Sequence, residues 1–363
     1  MNNETKHNGR LSIGLLLLNV LLLPGCVGSL GARNFHESHE LIPPLENSRL
    51  EIEAMNISPD GKLLAVGYSS MKSPSTDLSE RQQPILRVWS IENETPQVIW
   101  SKSIDDVSAL KPEFSRNGKT LVSAESTGIS LLDLTNLQDN PDSPSHSMQL
   151  DSVQLLSKCG DFAVSIGKDG EISIIDVRNQ SLHRTLPDEI DRVLAFSNSG
   201  NLIAAREKIS ASSPRGKETI AIWNIGEKNV AQGSISKLCV FEIEHYATPE
   251  LCQFSPDEAM LAIVNRSGKI GLWGVRNGRM ISELHHSEPI TTFAFSPKER
   301  KLAVCTSSPT AKLYLWNVAK EKIVLKHQDR STESMTAVVF SPEGAHIYTG
   351  DKNGNIKKWK AKK

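Results

Sequence analysis

Residues 252–275 read CQFSPDEAMLAIVNRSGKIGLWGV: two apolar runs joined by short polar turns, with Trp273 near the end. A lone hairpin is marginal in water, whereas a repeated unit sets the architecture of the whole chain. The pattern is a strand ending in F-S-P-D, a turn, an alternating apolar strand, a Gly turn and a strand ending in Trp. It recurs along the chain. The other copies are NISPDGKLLAVG with LRVWSI (56–91), EFSRNGKTLVSA with ISLLDL (113–134) and LLSKCGDFAVSI with ISIIDV (155–177). Then come AFSNSGNLIAAR with IAIWNI (195–225), AFSPKERKLAVC with LYLWNV (294–318) and VFSPEGAHIYTG with IKKWK (339–360). Taking Trp89, Leu132, Ile175, Trp223, Trp273, Trp316 and Trp359 as one repeat position, the successive differences are 43, 43, 48, 50, 43 and 43.

A period near 43 with several strands per unit is the signature of a β-propeller. The turns support it. In SPDG (58–61) Pro and Gly suit a type I turn, while DG (169–170), SG (267–268) and NG (353–354) supply the positive φ of a tight hairpin. Segments such as RMISEL (279–284) and EKIVLK (321–326) supply a fourth strand. The expected fold is all-β: a seven-bladed propeller of four-stranded antiparallel blades.

With these repeats on the page, the chain resembles the WD-repeat (WD40) family over about 300 residues. The resemblance implies that NFHESHELIPPLENS (34–48) supplies the strand missing from the seventh unit, with Pro43 and Pro44 at an edge or its exit. It also implies a hydrogen-bonded network of His, Ser or Thr, Asp and Trp within each blade, but the pattern is broken. Ser90, Asn224, Gly274, Asn317 and Lys360 follow the tryptophans, while Asp133 and Asp176 follow Leu132 and Ile175. No unit reads as a complete network, so apolar packing between sheets is expected to carry the stability. His285 and His286 stand at the family's His position in the sixth unit and are expected to be structural.

The first 30 residues differ in kind. Lys6 and Arg10 precede the apolar run LSIGLLLLNVLLLPG (11–25), the build of a secretory signal. LLPGC resembles the lipobox of bacterial lipoproteins: Leu23, Gly25 and Cys26 match, and Pro24 departs from it. The expected division is a signal peptide over 1–25, a linker over 26–33 and the propeller over 34–363, with Cys26 as the lipidation site. Cleavage after Gly28 or Gly31 is the alternative. Cys159, Cys239, Cys252 and Cys305 lack the spacing of a disulfide scaffold or a zinc site and read as buried thiols.

The chain has 363 residues, 38% hydrophobic, with 41 basic against 42 acidic side chains and a formal net charge of -1. That balance provides no field for nucleic acid, and the basic KKWKAKK (357–363) reads as a solvated strand and tail. There is no G-x-S-x-G, H-E-x-x-H, phosphate loop or spaced metal-ligand cluster. No catalysis, cofactor or metal is therefore expected.

Insertions show against the regular ruler. From turn Ser to repeat position the lengths are 31, 17, 18, 26, 18, 20 and 18. The first and fourth units thus carry extra residues, YSSMKSPSTDLSERQQP (68–84) and EKISASSPRGKET (207–219), both between second and third strands. Loops held out by a rigid scaffold concentrate binding residues. The expected partner-binding residues are Lys72, Arg81, Arg206, Lys208, Arg215 and Lys217. His245, Tyr246 and Glu250, in a long interval after Trp223, are expected to be structural. The reading is a monomeric, non-catalytic protein-interaction scaffold, lipid-anchored in a bacterial cell envelope, with an unidentified protein partner. Its alternatives are a propeller enzyme or small-molecule binder with a site at the channel mouth, and a cytoplasmic adaptor.

Overall fold

The computed structural model describes residues 39–42, 50–70, 83–104, 111–125, 128–135, 137, 146–208, 217–226, 235–244, 247–265, 268–307, 311–328 and 333–361. Strand β1 (His39–Ile42) comes first in the chain. Blade 1 is β2 (Leu50–Ile57), β3 (Leu63–Ser70), β4 (Ile85–Ser90) and β5 (Gln97–Ser103). Blade 2 is β6 (Pro112–Phe114), β7 (Thr120–Glu125), β8 (Gly128–Asp133) and β9 (His146–Gln149). Blade 3 is β10 (Val153–Leu156), β11 (Phe162–Ile166), β12 (Ile172–Asp176) and β13 (Ser181–Thr185). Blade 4 is β14 (Ile190–Phe196), β15 (Leu202–Glu207), β16 (Lys217–Asn224) and β17 (Ser236–Glu244). Blade 5 is β18 (Ala247–Phe254), β19 (Met260–Asn265), β20 (Lys269–Gly274) and β21 (Met280–His285). Blade 6 is β22 (Ile290–Phe295), β23 (Lys301–Thr306), β24 (Lys312–Asn317) and β25 (Lys322–Gln328). Blade 7 is β26 (Met335–Phe340), β27 (His346–Asp351) and β28 (Ile356–Lys360), completed by β1.

The first strands run next to one another around the axis, β2 meeting both β6 and β26. The molecule is a seven-bladed β-propeller, and the expected closure is present. β1 pairs antiparallel with β28, His39 opposite Lys358 and Ile42 opposite Ile356. Pro43 and Pro44 lie outside the described residues.

The repeated Ser has a task that its sequence position alone did not disclose. In blade 1, Gly61 N donates to Ser58 O at 2.8 Å, closing the turn, and Gly61 holds φ 76, which a Cβ would disfavour. Ser58 Oγ then accepts from Leu63 N at 2.9 Å and donates to Asp60 at 2.5 Å. Ser115, Ser157, Ser197, Ser255 and Ser341 likewise accept from the amide five residues on. Each hydroxyl, buried in all but the half-buried Ser115, thus satisfies the amide that opens the second strand, which a backbone donor withdrawn from water requires. Ser296 departs from the pattern and accepts from Glu299 N at 3.3 Å.

Apolar side chains form seven clusters, one per seam. Trp359 packs on Leu313 and Leu315 of blade 6, Trp316 on Ala262 and Leu272 of blade 5, and Trp223 on Val164 and Ile174 of blade 3. The repeat position therefore faces the preceding blade. Trp89 closes the circle, sharing a cluster with Ile42, Ala337 and Tyr348. Leu132 and Ile175 occupy the same role against blades 1 and 2. Packing between sheets dominates, as expected, at roughly 1.5 to 3 kcal/mol for each fully buried large side chain.

Two blades nevertheless keep part of a hydrogen-bonded network. In blade 7 Trp359 Nε1 donates to Thr349 Oγ1 at 2.8 Å, His327 lies with its ring centroid 4.3 Å from the indole, and Asp351 caps the hairpin through Asn353 N and Asn355 N. The acid sits two residues before Asn353, the turn position read from the sequence. In blade 6 Trp316 Nε1 donates to His286 Nε2 at 2.9 Å, whereas His285 is exposed beside Glu283 at 3.1 Å.

An acceptor at Nε2 requires His286 to be neutral. Burial pushes its imidazole down to about 4, against the pull of Glu288 and with a smaller push from His285. The ordinary value is 6.5, so the unfolded chain takes up a proton first as pH falls. Stability is complete above about pH 6.5 and declines between 6.5 and 4. The partly open ring edge limits the loss to about 1–2 kcal/mol. Urea melts at pH 7 and 4.5 should show that decline, and His286→Gln should flatten it. An unchanged slope in the variant rejects the assignment.

All four described cysteines are free, Cys159 and Cys305 buried and Cys239 and Cys252 half-buried. Burial raises the Cys252 and Cys305 thiols, which suits packing and not reactivity.

Candidate functional site

Because each blade is an antiparallel meander, the turns after the first and third strands open on one face and those after the second strand on the other. In blades 1 and 4 the second strand ends at Ser70 and Glu207, and the third begins at Ile85 and Lys217. Elsewhere at most five residues, as in 167–171 and 307–311, make that connection. Both insertions therefore leave from the same face, three blades apart. Lys72, Arg81 and Arg215 lie outside the described residues, as do His245 and Tyr246.

The other three predicted residues stand at the roots of the blade 4 insertion. Arg206 is in β15, its Nε donating to Asp191 Oδ2 at 2.8 Å, with Glu218 at 3.6 Å. Lys217 is in β16, 2.7 Å from Glu242 of β17. Both are partly occupied within the blade, and the exposed pair of Lys217 with Glu242 contributes little stability. Lys208 is exposed at the start of the insertion.

The opposite face carries a feature the sequence reading did not single out. A cleft of about 1000 Å³ opens at the seam of blades 2 and 3 and reaches Ser199 and Asn201 of blade 4. Val122, Leu131, Phe162 and Val177 form its floor. Asp161, 8% exposed, sits beneath two guanidiniums: Arg116 Nη2 at 3.8 Å and Arg178 Nε at 3.7 Å, these side chains being 61% and 56% exposed. Both separations exceed a hydrogen bond. Arg116 Nη2 also donates to Ser199 O at 3.2 Å, tying blade 2 to blade 4, and Arg178 lies 5.8 Å over the Phe162 ring.

Nearer the axis, Asn56 of β2 donates to Glu113 of β6 across the first seam. Enclosure raises the Glu113 carboxyl, against the nearby positive charges of Lys158 and Lys111. Among the described residues no group of three or more His, Cys, Asp and Glu is arranged to hold a metal.

Residues 321–360, which span β25 to β28, match the family "WD domain, G-beta repeat". They include the Trp359 to Thr349 bond of blade 7. The chain is 25% identical over 111 residues, 29% of its length, to "WD repeat-containing protein 26 homolog" of Drosophila melanogaster. It is 25% identical over 117 residues, 31% of its length, to "WD repeat-containing protein WRAP73" of Mus musculus. It is 30% identical over 112 residues, 30% of its length, to "Periodic tryptophan protein 2 homolog" of Caenorhabditis elegans. The matched stretches span 18%, 25% and 12% of those proteins.

Proposed function

We propose that this WD-repeat-like propeller is a non-catalytic protein-interaction scaffold, exported to a bacterial cell envelope, lipid-anchored through Cys26, and bound to a partner through the long loops of blades 1 and 4. The observation that carries the reading is the pair of extended connections on one face of blades whose equivalent connections are otherwise short. A closed ring of seven sheets holds the ends of both insertions at a fixed separation, which lowers the ordering cost of binding through them. Relatives named for their WD repeats support the scaffold class.

The two parts of the proposal are tested separately. Cys26→Ser should move the protein from the membrane to the soluble fraction, and retention in the membrane rejects anchoring at that residue. Alanine at Lys72, Arg81, Lys208 and Arg215 together should lower capture of a cross-linked envelope partner about tenfold, as expected for losing a few charged contacts. Undiminished capture rejects the loop face.

A further inference from the structure

On the outer strands of blades 5 and 6, large apolar side chains stay in solvent in pairs. Met280 and Ile281 open β21, and Ile323 and Val324 stand near the start of β25, all between 38% and 54% exposed. A β-bulge at the same place in both blades is the cause. Register passes from Leu272 opposite Ser282 to Trp273 opposite Met280, which leaves Ile281 as the extra residue. In blade 6 it passes from Leu315 opposite Leu325 to Trp316 opposite Ile323, leaving Val324. A bulge leaves its extra residue unpaired and bends the strand, so an apolar residue there is turned out of the sheet.

The charge around these side chains is one-sided. Arg276 and Arg279 lie in the turn before β21, Lys320 in the turn before β25, and Lys322 and Lys326 in β25 itself, all exposed. Among the described residues none of the five stands within ion-pair distance of an acid, whereas Lys62, Lys168 and Lys217 elsewhere on the surface meet Glu92, Asp151 and Glu242. The acids near this edge are mostly taken: Glu283 by Lys269 and His285, each at 3.1 Å, Asp257 by Arg300 at 3.5 Å, and Glu299 by Lys301. Glu321 is left to offset five cations. An added strand fits poorly, because a bulge interrupts the row of edge donors and acceptors. A second copy meeting this edge about a two-fold axis would set the cations against their own images. A bilayer with anionic headgroups suits both features, taking apolar tips at its boundary and cations at its phosphates. Neighbouring blades of seven diverge by only about 50°, so both tips reach one plane.

We infer that the outer edge of blades 5 and 6 rests on an anionic lipid bilayer, with Met280, Ile281, Ile323 and Val324 entering the headgroup boundary and the cations around them meeting lipid phosphates. The inference deepens the envelope reading and rests on it for the membrane. The chain enters the propeller through β1, the outer strand of blade 7 and so of the blade next to this edge. The thirteen residues from Cys26 to Ser38 extend at most about 45 Å. A lipid at Cys26 raises the effective concentration of the bilayer, so a weak edge contact is enough to orient the chain. The turns before β21 and β25 follow third strands and open on the face away from the two insertions. A propeller seated this way keeps its loop face clear of the bilayer.

Flotation of the full chain with lipid vesicles tests it, using phosphatidylcholine alone and phosphatidylcholine with about 30% phosphatidylglycerol. The series is made in the Cys26→Ser background, so the edge is read without acyl chains and every variant carries the same N-terminal segment. The parent of the series should partition into the anionic vesicles at least about tenfold more than into the neutral ones, and less as salt rises. Gln at Arg276, Arg279, Lys320 and Lys322 together should lower that ratio about tenfold. Ile281→Ser with Val324→Ser should lower anionic binding about tenfold as well. Gln at Lys62, Lys102, Lys119 and Lys168, which removes as many charges from blades 1 to 3, should leave it unchanged. The substituted edge side chains are exposed, and melts establish that each variant is folded. Edge variants that float as the parent does overturn the inference, as does an equal loss from the blade 1 to 3 variant. A dimer that the edge substitutions split makes a second copy the occupant, and binding of polyglutamate by a chain that ignores anionic vesicles makes it an acidic protein; either result overturns the inference. Cys26→Ser against the unsubstituted chain reads the anchor alone, so failure of the anchoring and failure of the edge are told apart.

Discussion

Deleting residues 34–48 is expected to lower the melting temperature by about 10 °C or more and to turn a monodisperse protein into one that self-associates. The deletion removes β1, and with it Ile42, 2% exposed, from the cluster that joins blade 7 to blade 1. Burial of one such side chain contributes about 1.5–3 kcal/mol, and each lost ladder hydrogen bond about 1 kcal/mol. A loss of about 5 kcal/mol is large against a total of about 5–15. It also bares β28 as an unpaired edge, a template for pairing with another chain. Ile42→Asp should reproduce the stability loss while keeping the backbone strand. Circular dichroism melts with size-exclusion chromatography decide the matter. An unchanged melting temperature in both variants would mean that the ring does not depend on its closing strand.

Trp359→Ala is expected to cost about 4 kcal/mol, or roughly 8–16 °C in melting temperature. Trp359 is fully buried, the largest such side chain among the described residues. Removing it opens the seam between blades 6 and 7 and strips Thr349 of its donor. Thr349→Val keeps the volume and leaves the indole N–H buried without its acceptor, so it should cost about 1–2 kcal/mol. Ile175→Ala, at the same repeat position, should cost less than Trp359→Ala, because it removes a smaller buried side chain and strips no polar group of its partner. If the Ile175 and Trp359 variants proved equally costly, the weight given to the Trp359 indole and its bond to Thr349 would be wrong.

Much of the fold was legible because the propeller writes its geometry locally. The SPDG turn at 58–61 and the Gly turn at 170 need particular residues at particular offsets, and seven copies make those offsets a ruler. The closing strand could be inferred from a seventh unit one strand short. The position of His286 pointed to a structural role, and its bond to Trp316 fulfils it. The Arg116, Asp161 and Arg178 constellation was not legible in the same way. Arg116 meets Asp161 and Ser199 only because blades 2, 3 and 4 curve around one axis, bringing together residues up to 83 positions apart in the chain. The acid of the blade 7 network was hidden for a smaller reason: Asp351 accepts from Asn353 N and Asn355 N across the hairpin, so its position in the strand conceals its part in the turn.

The pairing of His39 to Ile42 with Ile356 to Lys358 also has a kinetic side. It joins segments more than 300 residues apart, so the ring cannot shut until almost the whole polypeptide is available. Until then the polypeptide is an open arc with an unpaired strand at one end and an uncovered seam at the other. Closure of so long a loop comes late, after the more local hairpins have formed. Every copy must therefore pass through an interval in which β28 is open to a neighbour's strand. A slow final folding step, sensitive to protein concentration, is the cost of a ring sealed by its own two ends.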